Sequence, residues 1–477
     1  MFRQRLAVAA RWVATAAASA AATSIRVLAR QESPVPFMEM VARADLTGLA
    51  DIVTELVPLD YHPRVPLVCI ERAKRLLQEN GPATTPAVQH DVVRIFSSLS
   101  RMRPCSDVDL AGLCLKVLAG NMTRMDSRDI ASMLASVSAV SAIKYDPAYQ
   151  ELVIAARSRV HEMTFVNLSK MLLGAQREPT DVELMTLIGD KVAALSDDIV
   201  VPDKFCGSFA ATFGLARLWH EPVLKRLVGD MHKQLPSGVD DEAMARLLLA
   251  LATFARPVPA AFLDAVVKTL PTFFAKSMVA VHVIRVAWAM AVFDVRLDGR
   301  CLDAVTLGLA RVGAFLAEPH YQLLYDVFLH VYGDLGRVPT PLLSIAAHCF
   351  ALRSKRSNRR PVPIAFAAVV AVLHEMSLPF TSAARVGSTA YRADFVLERH
   401  RVAIFTDDPC RCAVGTRHLL GHDVVCERHL RRLGWHVVRY PYWDFAVGAD
   451  LLKADLARAI AAARDDDEQQ QEDDDDA

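Results

Sequence analysis

The chain has 477 residues, 53% of them apolar and 23% charged, which is length enough for two or three domains and the composition of an ordinary globular protein. Formal net charge is zero, which excludes an evenly basic nucleic-acid binder but not a locally basic one. Nine cysteines, odd in number and mostly isolated in apolar runs such as those around Cys69, Cys114, Cys206 and Cys349, favour buried thiols in a reducing compartment over a disulfide framework.

Residues 1–31 carry Arg3, Arg5, Arg11, Arg26 and Arg30, many small residues and no acid. This is the composition of a mitochondrial transit peptide, and it predicts a matrix protein; a secretory signal is the rival reading, weakened by Arg11 inside the run. The uncharged stretch from Trp12 to Ile25 is shorter than the roughly 20 residues that cross a bilayer, so no membrane partner is expected.

From 36 to 350 the chain predicts helix after helix, punctuated by prolines such as Pro66, Pro202 and Pro271. Apolar helix cores centre near Phe96, Met133, Met171, Phe209, Leu248, Trp288 and Val327. Their spacing of about 37 to 40 residues is the period of a two-helix solenoid unit. Each such helix is apolar on most faces and is predicted to be the inner one, with a more amphipathic partner outside it.

A basic segment at 351–363 follows, with Arg353, Lys355, Arg356, Arg359 and Arg360 ahead of Pro361 and Pro363. It reads as an exposed linker, and Lys355, Arg356, Arg359 and Arg360 are candidate phosphate contacts. After Phe350 there are 18 basic and 10 acidic residues before the tail, against 31 and 35 between Gln31 and that point, so the positive footprint sits in the C-terminal part. Residues 364–464 form the last folded domain, and the nine acids of the tail beyond it, at 465–477, predict a disordered end.

Within that domain, Tyr391–Leu397 and Arg401–Thr406 read as strands joined by the polar turn at 398–400. Asp407, Asp408 and Pro409 break the pattern; Leu419, Leu420, Val424, Leu430 and Leu433 then recur at helical spacing until Gly434 stops the helix, and Trp435–Tyr440 reads as a third strand closed by Pro441. These residues, above all the Leu-Gly-Trp step into Val437, Val438 and Arg439 and the ending Pro441-Tyr442-Trp443, resemble the RAP domain, the RNA-binding domain abundant in apicomplexans. With the helical period, the whole resembles octotricopeptide-like and Fas-activated-kinase-like organellar proteins. The fold class implied is mainly α: an α-solenoid of two-helix repeats followed by a small α/β RAP module that resembles the restriction-endonuclease-like fold.

The resemblance implies an RNA partner, an organellar transcript or ribosomal RNA, with protein partners in a large ribonucleoprotein, and a non-catalytic role in mitochondrial ribosome assembly or in RNA processing and stability. Candidate RNA contacts are Arg392, Arg399, Arg401, Arg411, Arg417, Arg428, Arg431 and Arg432, since guanidinium forks match phosphates, with Tyr442 and Trp443 as stacking partners. The alternative is a metal-dependent RNA endonuclease built on Asp394 and Asp407. Against it, Phe405 stands where many relatives of the nuclease fold carry Glu. A zinc site from Cys410, Cys412, His418 and His422 lacks the usual knuckle spacing, and no cofactor is expected. A protein-binding helical scaffold is the third reading, because the array is slightly acidic.

Overall fold

The computed structural model describes residues 35–57, 65–82, 85–102, 107–138, 140–177, 180–276, 279–296, 318–333, 335–356, 363–441, 443 and 449–475. The expected transit peptide, Arg359, Arg360 and Tyr442 lie outside them, as do the side chains of Lys355 and Arg356. The described chain is mostly helical, with a four-stranded sheet near the C-terminus. It divides into two compact units, Met1–Leu195 and Ser196–Ala477.

In the first unit the helices are α1 Val35–Arg43, α2 Leu46–Leu56, α3 Val65–Asn80, α4 Pro86–Leu99, α5 Val108–Leu118, α6 Ser127–Val137, α7 Pro147–Ser158, α8 Phe165–Ala175 and α9 Val182–Ala193. Their starts are written locally: Asp45, Thr85, Asp107, Asp126, Asp146, Thr164 and Asp181 each stand just ahead of a helix and accept a hydrogen bond from a first-turn amide. Alternate helices pack on one another. The series α2, α4, α6, α8 forms one layer, and α3, α5, α7, α9 the other.

The second unit continues with α10 Asp203–Leu215, α11 Glu221–Gln234, α12 Asp241–Phe254, α13 Ala260–Lys276, α14 Ala280–Val292, α15 Glu318–Tyr332 and α16 Thr340–Arg356. Here α10, α12, α14 and α15 pack in sequence, and α11 and α13 pack beside them. The seven predicted core centres fall on α4, α6, α8, α10, α12, α14 and α15, which belong to these packed series. Helices α10 and α12 come unusually close, because a Cβ at Gly207 would lie 2.6 Å from the Ala243 Cα and one at Gly214 would lie 3.1 Å from that of Ala250. Pro271, which predicts a helix stop, lies inside α13. Leu270, Phe273 and Phe274 are buried around it, and that burial outweighs the amide bond a proline removes.

The same unit holds α17 Pro363–Glu375, β1 Thr381–Arg385, β2 Arg392–Leu397, β3 Val402–Asp407, α18 Gly421–Arg432, β4 His436–Pro441 and α19 Ala449–Asp475. The sheet order is β1-β2-β3-β4, antiparallel except for the parallel pair β3 and β4 that α18 connects. Phe395, Leu397, Val402, Ile404, Val438 and Tyr440 turn one face of the sheet towards Val369, Val372 and Leu373 of α17 and Leu452, Leu456 and Ile460 of α19. Gly434, at φ +76°, ends α18 as its sequence position predicts.

Three local expectations differ from the structure. The sequence predicts no strand at β1, because its small residues are mostly exposed and carry no period-2 apolar signal. Helix α16 runs through Arg353 to Arg356, where the sequence predicts a linker. The backbone of α19 continues as helix through the acidic run to Asp475, since nothing there is a helix breaker.

Candidate nucleic-acid interface

Residues that would serve a nuclease sit at the carboxyl end of β3, and there they are paired. Asp394 Oδ2 accepts hydrogen bonds from the Thr406 amide at 2.6 Å and the Thr406 hydroxyl at 2.8 Å. Asp407, buried, accepts from Arg439 Nη1 at 2.7 Å and from Arg411 Nη1 at 3.4 Å. Arg439 Nε also donates to Glu427 at 2.7 Å, and Arg411 reaches Asp423 of α18 at 3.4 Å. Both guanidinium groups stand over the ring of Phe405, at 5.1 and 5.6 Å. Burial pushes the Asp407 carboxyl up while the two arginines pull it down. Burial also works against the charge of Arg439, but Asp407, Asp423 and Glu427 outweigh it and hold the guanidinium firmly protonated. The arrangement is an ion-pair network with two fixed cations among the carboxylates.

A second cluster joins α18 to the preceding helices of the same unit. Asp326 of α15 is fully buried. Its Oδ2 accepts from Trp288 Nε1 of α14 at 3.0 Å and faces His422 Nδ1 of α18 at 2.8 Å, and its Oδ1 accepts from the Tyr391 hydroxyl at 2.8 Å. Because that hydroxyl proton goes to Asp326, His429 Nδ1, 2.8 Å away, must be the donor to the Tyr391 oxygen, which fixes the tautomer of a neutral His429. Burial drives the His429 imidazole down to about 3 in the same sense.

Around this centre α18 meets the carboxyl ends of successive helices. A Cβ on Gly421 would overlap the Ala252 carbonyl oxygen of α12, so only glycine fits. Arg428 donates to the Val292 carbonyl of α14 at 3.2 Å and to that of Ala291, supplying donors to carbonyls left open at the helix end. Arg432 pairs with Asp294 at 2.6 Å. Burial opposes ionisation of Asp294, but Arg432 and Arg428 outweigh it and hold the carboxyl below its ordinary value. Arg217, just past α10, donates to the Cys410 carbonyl at 2.7 Å, and its own carbonyl accepts from the Val414 amide at 2.8 Å.

The arginines proposed from sequence therefore fall into two groups. Arg411, Arg428 and Arg432, the last of them still exposed, are held by carboxylates or carbonyls of this chain, and Arg392 donates to the Ala383 carbonyl. Arg399, Arg401, Arg417 and Arg431 are exposed; Arg417 stands 5.5 Å over the half-buried Trp443 ring, and Arg431 pairs with Glu427 at 2.7 Å.

Cys410, Cys412, His418 and His422 are not gathered: Cys410 lies beside Asp408, Cys412 is buried with its thiol pushed up to about 11 by burial and nearby acids, His418 is exposed, and His422 faces Asp326. Among the described residues no group of three or more His, Cys, Asp or Glu is placed to hold a metal ion. Asp326, Asp294 and Arg439 were missed by sequence reasoning. For Asp326 a signal existed: it is a lone acid inside the apolar run from Tyr321 to Tyr332.

No family model matches the chain. Over 44 residues it is 50% identical to the FAST kinase domain-containing protein 3, mitochondrial, of Rattus norvegicus, a match covering 9% of this chain and 7% of that protein. Over 56 residues it is 41% identical to the protein of the same name from Bos taurus, covering 12% of this chain and 8% of the relative. The chain thus matches less than a tenth of the length of these curated relatives.

Proposed function

We infer that this is a mitochondrial RNA-binding protein that acts without catalysis, an α-solenoid whose C-terminal RAP-type module contacts an organellar transcript or ribosomal RNA, in ribosome assembly or in RNA processing. The observation that carries the non-catalytic part is the pairing of Asp407 with Arg439 and Arg411: a metal at that carboxylate would have to displace two cations packed against it. For RNA contact the exposed Arg399, Arg401, Arg417 and Arg431 support the reading, since unburied guanidinium groups match phosphate. The similarity to proteins named as mitochondrial supports the compartment.

The test is incubation of the full chain with labelled mitochondrial RNA, with and without magnesium or manganese, while binding is followed against salt. Expected are retention of intact RNA and a log-log salt slope that shrinks in the triple variant Arg399→Glu, Arg401→Glu, Arg431→Glu. Metal-dependent cleavage abolished by Asp394→Ala would instead establish the nuclease.

A further inference from the structure

The second unit holds two arginine–indole pairs. Arg256, just beyond α12, stands 5.4 Å over the ring of Trp219, which follows α10 and is fixed edge-on against Phe254 at 5.3 Å. Arg417, on the loop between β3 and α18, stands 5.5 Å over Trp443. The loop carrying Arg417 is tied to the segment carrying Trp219 by the two hydrogen bonds of Arg217 with Cys410 and Val414. His418, next to Arg417, feels the charge of Arg256: burial first, and then that arginine, lower its basicity. Where Arg217 meets Cys410 and Val414 lies a cleft of about 490 Å³ lined by Arg217, Asp408, Cys410, Val414 and Thr416 among others.

Charge and shape together restrict what fits. Among the described residues no carboxylate pairs with Arg217, Arg256 or Arg417, so each keeps a positive charge for an outside anion. The cleft volume falls within the roughly 300–1,000 Å³ of small-molecule sites. Asp408, whose Oδ1 accepts from the Cys410 amide at 2.7 Å, repels phosphate from the cleft itself but suits a hydroxyl or amino donor. Arg256 and Arg417 outside the cleft, Arg217 and a donor-seeking carboxylate lining it, and indoles under the two outer cations describe a chain of alternating phosphates and nucleosides rather than a simple anion.

We propose that Arg217, Arg256 and Arg417, with Trp219, Trp443 and the Asp408 cleft, form a docking site for single-stranded RNA shared between the array and the C-terminal module. Arg256 and Arg417 take successive phosphates, and the cleft takes one unpaired nucleoside. This rests on the RNA-binding reading above and adds to it a place and a strandedness.

The experiment uses the full chain and a fluorescein-labelled twelve-nucleotide oligouridine, with a twelve-base-pair RNA duplex and heparin as competitors. The double variant R256Q/R417Q should weaken oligouridine binding on the order of tenfold and reduce the salt slope by about 1.4, at ~0.7 per single-strand phosphate lost. Arg417→Gln alone, on an exposed side chain, should give about half that slope change with an unaltered unfolding midpoint, which separates contact from folding. Undiminished oligouridine binding by R256Q/R417Q, alongside loss in the triple variant of Arg399, Arg401 and Arg431, would overturn this site and leave the general reading standing. Absence of RNA binding by the unaltered chain would overturn both, and equal competition by duplex or heparin would overturn the single-strand assignment.

Discussion

Tyr391 donates its hydroxyl to the buried carboxylate of Asp326 across 65 residues of sequence, at 2.8 Å. That bond ties the residue entering β2 to the middle of α15, and His422 and Trp288 converge on the same carboxylate from α18 and α14. A buried acid with such partners is costly to leave unpaired and equally costly to remove.

Asp326→Ala strands the buried donors of Tyr391 and Trp288 and takes the carboxylate partner from the half-exposed His422. A loss of roughly 3–5 kcal/mol is expected. Urea denaturation measures it. A loss below about 1 kcal/mol would mean that water already reaches the site.

Gly421→Ala drives a methyl group into the Ala252 carbonyl, where the two backbones leave no room for it. Overpacking of this kind costs about 1–3 kcal/mol. Hydrogen exchange should speed up at the start of α18 and the end of α12, and not in the first unit. Gly229→Ala in α11 has open space around the added carbon and serves as the control, neutral or stabilising by up to ~1 kcal/mol.

Arg439→Met removes the principal partner of Asp407, a residue only 1% exposed. Breaking one side of a buried pair costs roughly 3–5 kcal/mol, whereas the double change Arg439→Met with Asp407→Asn should recover much of the loss. A double-mutant cycle from denaturation curves reads the coupling, and purely additive effects would rule the pairing out as a stabilising link.

Folding stability should fall as pH drops below about 6.5, the ordinary histidine value. His429 is held near 3 in the folded state by burial, with His330, Arg428 and Arg432 opposing its protonation and Asp326 favouring it. The unfolded chain therefore binds the proton first, and each pH unit below the ordinary histidine value removes up to ~1.4 kcal/mol until the folded group also titrates. His330 is lowered too, chiefly by burial, and acts in the same direction. Denaturation at about pH 7.5 and at about pH 5 should differ accordingly, and His429→Gln should shrink the difference.

Local chemistry made much of the architecture legible in advance. The cores at Phe96, Met133, Met171, Phe209, Leu248, Trp288 and Val327 lie on seven helices of the packed series because apolar periodicity acts within a few residues, and Asp or Thr caps start four of them, α4, α6, α8 and α12. Strands β2, β3 and β4 and the stop at Gly434 were readable for the same reason.

Which arginines find partners within the chain was not readable. Arg428 and Arg432 share a basic helix face, and their partners at Val292 and Asp294 lie 136 and 138 residues away, while the Cys410 carbonyl that accepts from Arg217 lies 193 residues away. Sequence determined the elements, since their periods and caps are short-range. Tertiary structure decided which charges are buried against one another, because a side chain's dielectric surroundings come from residues that only folding brings near.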